Sequence, residues 1–138
     1  MTIVQIHLTI FLVTAVFILY SDHLAFQYLR GKLETVPTRR GRSLHYIVLA
    51  GLIGMILSGA YMAYPAWEYY IALPEFQLKM AFVGILVMNS FFISRFLLVA
   101  RATPFRDVPK NEKLKFYASG VASAVGWVGA AVIGYFFL

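Results

Sequence analysis

The sequence predicts an all-α integral membrane protein, an up-down four-helix bundle that forms a single domain. Three observations carry that expectation. The 138 residues are 61% hydrophobic and 13% charged, whereas about a quarter of the residues in a soluble domain are charged. The mean hydropathy is +0.76, which implies more apolar surface than a soluble fold of this size can hide, so lipid must cover part of it. The apolar residues also fall into four runs separated by three polar connections. Each run approaches the ~20 residues that a helix needs to cross the hydrocarbon layer. At that depth only helices satisfy their own backbone hydrogen bonds, so the runs read as spans and not strands.

The first span is expected over residues 3–29, apolar from Ile3 to Tyr20 and more polar from there to Leu29. It lacks a basic leader and its apolar stretch is too long for a signal-peptide core, so it is expected to be retained. The second is expected over 44–64, with Pro37 and Thr38 placed to open it and Pro65 to close it. The third is expected over 76–100, where Pro74 and Glu75 suit a helix start. The fourth is expected over 113–138, with Asn111 and Glu112 reading as its cap.

The charges give an orientation. Arg30, Lys32, Arg39, Arg40 and Arg42 lie in or beside the first connection, and Arg101, Arg106, Lys110, Lys113 and Lys115 lie in or beside the third. The second connection, 65–75, has no basic residue and carries Glu68 and Glu75. By the positive-inside rule this is a multi-pass protein of the cell inner (cytoplasmic) membrane with both termini outside. The +6 formal charge is thus a topology signal, with some attraction to anionic lipid, and no nucleic-acid motif accompanies it. Trp67, Tyr69, Tyr70 and Tyr135 stand where an outer aromatic belt is expected.

Short connections make sequential helices antiparallel neighbours. Ala50, Gly54 and Ser58 form a small-residue stripe in the second span, as do Ala122, Gly126, Ala130 and Gly134 in the fourth. Such stripes let helices approach closely, within the bundle, across a homodimer or around a cofactor. The absence of cysteine removes disulfides, thiolate zinc sites and iron–sulfur clusters. Phosphate-binding loops and zinc-protease or nucleophile-elbow motifs are also missing.

Ionisable groups inside spans are costly, so each is a candidate for function. Antiparallel folding sorts them into two layers. The outer layer holds His7 in the first span and Lys79 in the third, with Ser58, Gly59, Met62, Gln77 and Met80 expected at their level. His7 shares a seven-residue stripe with Thr14 and Ser21, and with the adjacent Asp22. One imidazole ligand (His7 as metal ligand), a cation able to meet a propionate, thioethers and a glycine gap make an environment for haem b. The bland reading is packing for the histidine and snorkelling for the lysine. The inner layer holds Asp22, His23, His45 and Arg95. His23 and His45 come from adjacent helices at one depth, a geometry able to ligate a haem from both sides. Arg95 is placed to pair with Asp22 or a propionate; the alternative is a salt-bridge layer that fixes the bundle. His7 and His23 differ by ~24 Å along the helix and cannot share a metal. Asn89 lies near mid-membrane, with Thr14, Ser123 and Trp127 as partners to consider, in an interhelical hydrogen bond or a proton route.

The segment Val4-Gln5-Ile6-His7 resembles the start of the first span of the HemJ-type protoporphyrinogen oxidases. Phe76-Gln77-Leu78-Lys79-Met80-Ala81-Phe82-Val83 resembles their third span, and the layout is similar to that of the small four-helix proteins related to the CopD copper-resistance family. The resemblance implies b-type haem, His7 as its ligand and Lys79 as the family's catalytic lysine. The chain departs from the pattern at Tyr20-Ser21-Asp22-His23-Leu24, and Leu44-His45-Tyr46 and Gly126-Trp127 have no counterpart. The sequence thus leads to a membrane haem-binding redox protein, a porphyrinogen or quinol oxidoreductase with a redox partner or quinone. The alternatives are a structural or accessory membrane protein and a small ion or metal transporter.

Overall fold

The computed structural model describes residues 1–137 and consists of four long helices and one short one. Helix α1 spans Ile3–Leu29, α2 Thr38–Ala63, α3 Trp67–Ala72, α4 Pro74–Ala100 and α5 Lys110–Phe136. The four long helices are each long and apolar enough to cross a membrane, and together they form an all-α four-helix membrane bundle. Leu138, the last residue expected in the fourth span, lies outside the described residues.

The helix ends follow local chemistry. Thr2 caps α1 through a reciprocal box: the Gln5 backbone N–H donates to Thr2 Oγ1 at 3.2 Å, and the Thr2 N–H donates to Gln5 Oε1 at 2.9 Å. At the other end Gly31 takes φ 76°, the left-handed turn that lets a chain leave a helix without a Cβ penalty. Pro37 precedes α2, and Pro74 occupies the first turn of α4, where its missing N–H costs nothing.

The second helix opens at Thr38 after Pro37, as expected, and so begins ahead of the apolar span at 44. Two expectations need correction: the fourth helix begins at Lys110 and not at 113, and Gln77 stands elsewhere than expected. In both helices the residues ahead of the apolar run form polar helical turns. Asn111 is therefore inside α5, whose cap position is Pro109. The second connection holds a 3-10 turn over Tyr64–Ala66 that runs into α3. Gln77 Nε2 donates to the Ile71 carbonyl across this connection at 2.8 Å, so Gln77 ties α3 to α4 and does not line a site beside His7.

The helices form two hairpins, α1 with α2 and α4 with α5, which meet chiefly through α2 and α4. Glycines set the close approaches. A methyl at Gly51 would collide with the Thr14 side chain, and one at Gly126 would come within 2.6 Å of Leu86 Cδ2. The contact face of α5 also includes Gly129, which lies under the Phe82 ring.

One end of the bundle carries the two basic connections (the basic end) and the other carries both termini and α3 (the terminal end). The buried apolar cluster sits at the basic end, where Leu24, Tyr28, Val36, Leu44 and Ala100 come together. Tyr28 is its centre, 2% exposed, with its hydroxyl donating to the Thr103 carbonyl at 2.6 Å. Its ring packs against Phe105 and Phe116, and the Val36 N–H donates to the Ala100 carbonyl at 2.9 Å. These contacts tie the first hairpin to the second where the connections leave the apolar layer. Most other large apolar side chains of the spans are exposed, as lipid-facing surface requires.

Candidate functional site

Near the terminal end, His7 projects from α1 towards α2. Its Nδ1 lies 2.6 Å from Ser58 Oγ, and its Cε1 faces Gly59, where a Cβ would stand 3.6 Å away. Ser58 is buried and its hydroxyl donates to the Met55 carbonyl at 3.2 Å. A hydroxyl has a single proton. In the tautomer with the proton on Nδ1, His7 donates to Ser58 and Nε2 keeps its lone pair; in the other, Ser58 donates to Nδ1. A partner on the second ring nitrogen is the usual support for a ligating imidazole.

Lys79 comes from α4 at the same end, half-buried, with its Nζ against Gly134 of α5. A Cβ at Gly134 would fall 2.8 Å from that nitrogen, so the glycine of the fourth-span stripe makes room for a cation. Among the described residues Lys79 has no hydrogen-bond or ion-pair partner, since the two ion pairs are Arg106–Glu34 and Lys115–Glu112, both at the basic end. The structure thus brings His7, Ser58, Gly59 and Lys79 to one end of the bundle. Met62 is half-buried there, and Met80 is exposed.

The inner layer does not assemble as expected. His45 turns from α2 towards α4, where its Nε2 meets Ser94 Oγ at 2.9 Å. His23 lies on an exposed part of α1. Helix α2 stands between α1 and α4, so an imidazole directed at α4 points away from α1. The two histidines share a depth, since their neighbours Leu24 and Leu44 bury in one cluster, but not a direction. A bis-histidine site is therefore corrected. Asp22 and Arg95 are likewise both exposed and form no ion pair. The cause is again direction, because α1 and α4 pack little on each other.

Asn89 finds a partner that the sequence reading missed. Its Nδ2 donates to the Ser119 carbonyl at 3.2 Å, and Ser119 Oγ donates to Asn89 Oδ1 at 2.7 Å. Both residues are buried, so the pair clamps α4 to α5. Thr14 instead donates to the Ile10 carbonyl of its own helix. Ser123 and Trp127 line a small cavity of about 40 Å³ beside Asn89. A larger cleft, about 230 Å³, opens between α2 and α4 at the basic end. Neither cavity includes His7, and no cluster of three His, Cys, Asp or Glu residues able to hold a metal ion occurs among the described residues.

The chain matches no protein-family model, no curated protein and no solved structure. The class of protein is therefore defined by its own architecture: a multi-pass four-helix membrane protein with a histidine, and a lysine unpaired among the described residues, near one end of the bundle.

Proposed function

We propose that this protein is a membrane redox protein that holds one haem b through His7, with its termini outside and its basic connections in the cytoplasm. The observation that carries the reading is the His7–Ser58–Met55 hydrogen-bond chain, which orients the imidazole through Nδ1 and leaves Nε2 without a partner among the described residues. His45 differs, because its Nε2, the nitrogen farther from the backbone, is already engaged by Ser94. The residues present fit one haem held by a single imidazole: one nitrogen donor and, among the described residues, one cation without a partner for a carboxylate.

In this reading Lys79 meets a propionate of the haem or a carboxylate of a porphyrinogen, with Gly134 leaving space for its approach. A quinol is the other substrate class compatible with a site at the membrane boundary. A bound haem supplies one-electron chemistry, and the chain's own residues orient it and neutralise its acidic edge. The likeness of Val4–His7 and Phe76–Val83 to the HemJ-type segments supports the same two residues.

The test is an optical spectrum of the purified protein from haem-replete cells, oxidised and then reduced. A Soret band that shifts on reduction is expected. Lys79→Met should keep the pigment and lower turnover of an acidic porphyrinogen by at least about tenfold, the equivalent of ~1.4 kcal/mol. A colourless protein contradicts the proposal. One observation favours a second reading, an accessory membrane subunit: both His7 and His45 already have serine partners that satisfy a packed imidazole.

A further inference from the structure

The α2–α4 cleft at the basic end has a chemistry of its own, independent of the haem reading. Arg42 comes from the second turn of α2, and Arg101 is the cap residue at the C-terminus of α4. Both line the cleft of about 230 Å³. Among the described residues neither guanidinium has an ion-pair partner or a ring beneath it, and no carboxylate lines the cleft. Glu34 of the first connection pairs with Arg106 at 3.3 Å, and Asp107 of the third connection does not line the cleft. Deeper in the cleft, the hydrogen-bonded His45 and Ser94 supply neutral polar atoms. Apolar side chains complete the wall, and two of them, Tyr46 and Leu98, are 60% and 55% exposed.

Two unpaired guanidiniums at the mouth of a cleft match the oxygens of a phosphate, which arginine binds bidentately. Free phosphate would need only the charged mouth. An apolar wall continuing onto exposed Tyr46 and Leu98 offers acyl chains a path along the lipid-facing surface. Basic pockets between membrane helices are a recognised setting for acidic lipid headgroups. We infer that this cleft binds a phosphate group, and that its source is the headgroup of an anionic phospholipid seated between α2 and α4.

The test uses the full chain in detergent, with native mass spectrometry as the readout. Dioleoylphosphatidylglycerol should be retained about tenfold more than dioleoylphosphatidylcholine, which has the same phosphate but carries a choline cation that the two guanidiniums repel. Arg42→Gln with Arg101→Gln should reduce that preference to nearly none. Arg39→Gln with Arg40→Gln should leave it unchanged, because those residues stand outside the cleft. Arg42→Lys with Arg101→Lys keeps the charge and guards against misfolding; it should lower the preference by about threefold, since lysine lacks the planar fork. Millimolar inorganic phosphate should not displace the lipid. Equal losses in the two glutamine pairs would reduce the effect to the general basic field, and a lysine pair indistinguishable from the native protein would overturn the built site. Displacement by inorganic phosphate would overturn the lipid as its source.

Discussion

Asn89 and Ser119 show how much a single pair of side chains contributes to this bundle. Interhelical hydrogen bonds in lipid are worth about 0.6 kcal/mol on average and rarely exceed ~1.7. The Asn89–Ser119 clamp has two bonds, both buried, so a coupling of about 1 kcal/mol is expected from a double-mutant cycle with Asn89→Ala and Ser119→Ala. Additive losses in a folding assay in detergent or bicelles would show that the pair is not coupled. The sequence pointed to Asn89 because a lone amide at mid-membrane needs a partner, and it offered Thr14, Ser123 and Trp127. It missed Ser119, which lies one turn closer to the basic end of α5 than Ser123. Depth along a helix can be counted from a sequence, but the direction of a side chain depends on which helices are neighbours. The same limit explains Asp22, Arg95 and His23. Each lies at the expected level, yet each points outward. His7 and Lys79 were legible because both have to be accommodated near one boundary, and small residues of the facing helices, Gly59 and Gly134, receive them.

At the scale of elements, the contact faces of the helices are written in small residues. A Cβ at Gly126 would meet Leu86 on the facing helix and also approach the Phe82 carbonyl oxygen at 3.4 Å, so little can give way. Gly126→Ala should cost about 1–3 kcal/mol, the usual range for overpacking. At Gly120 of the same helix a Cβ would meet nothing within 4 Å. There alanine should be neutral or stabilising by up to about 1 kcal/mol, because it removes the entropic cost of a helical glycine. Thermal unfolding of the two variants in one detergent checks the contrast, and equal effects would contradict the assigned face. The seven-residue stripe of α1 is another legible feature. Thr14 is indeed buried, and one further step from Ser21 reaches Tyr28, the best-buried side chain of the chain. Its hydroxyl and its place in a polar stretch hid it from a reading based on hydropathy. The start of α5 was misplaced for a related reason: hydropathy marks where the chain enters hydrocarbon, whereas this helix begins earlier, in a polar turn after Pro109.

For the whole molecule, two asymmetries run along the bundle axis. The basic end holds the buried cluster around Tyr28 and the cleft with Arg42 and Arg101. The terminal end holds His7, Lys79 and exposed aromatic residues, among them Tyr69 and Tyr135. Ten basic residues beside the first and third connections and none in the second lead to a cytoplasmic basic end. A cysteine placed at Glu68, in a chain that has none of its own, should therefore react with an impermeant maleimide on intact cells. Labelling that appears only after permeabilisation would invert the orientation. The fold class was fully legible in four apolar runs, because membrane depth leaves the backbone no choice but helix. The site was legible only as a set of depths. Ligand substitution decides whether His7 Nε2 is the haem-binding nitrogen. Absorbance spectra of His7→Ala and His45→Ala, purified beside the unsubstituted protein, should show the Soret band abolished or shifted in the first and nearly unchanged in the second. A His7→Ala protein that keeps the native spectrum while His45→Ala loses it would contradict the account and move the cofactor to the basic end.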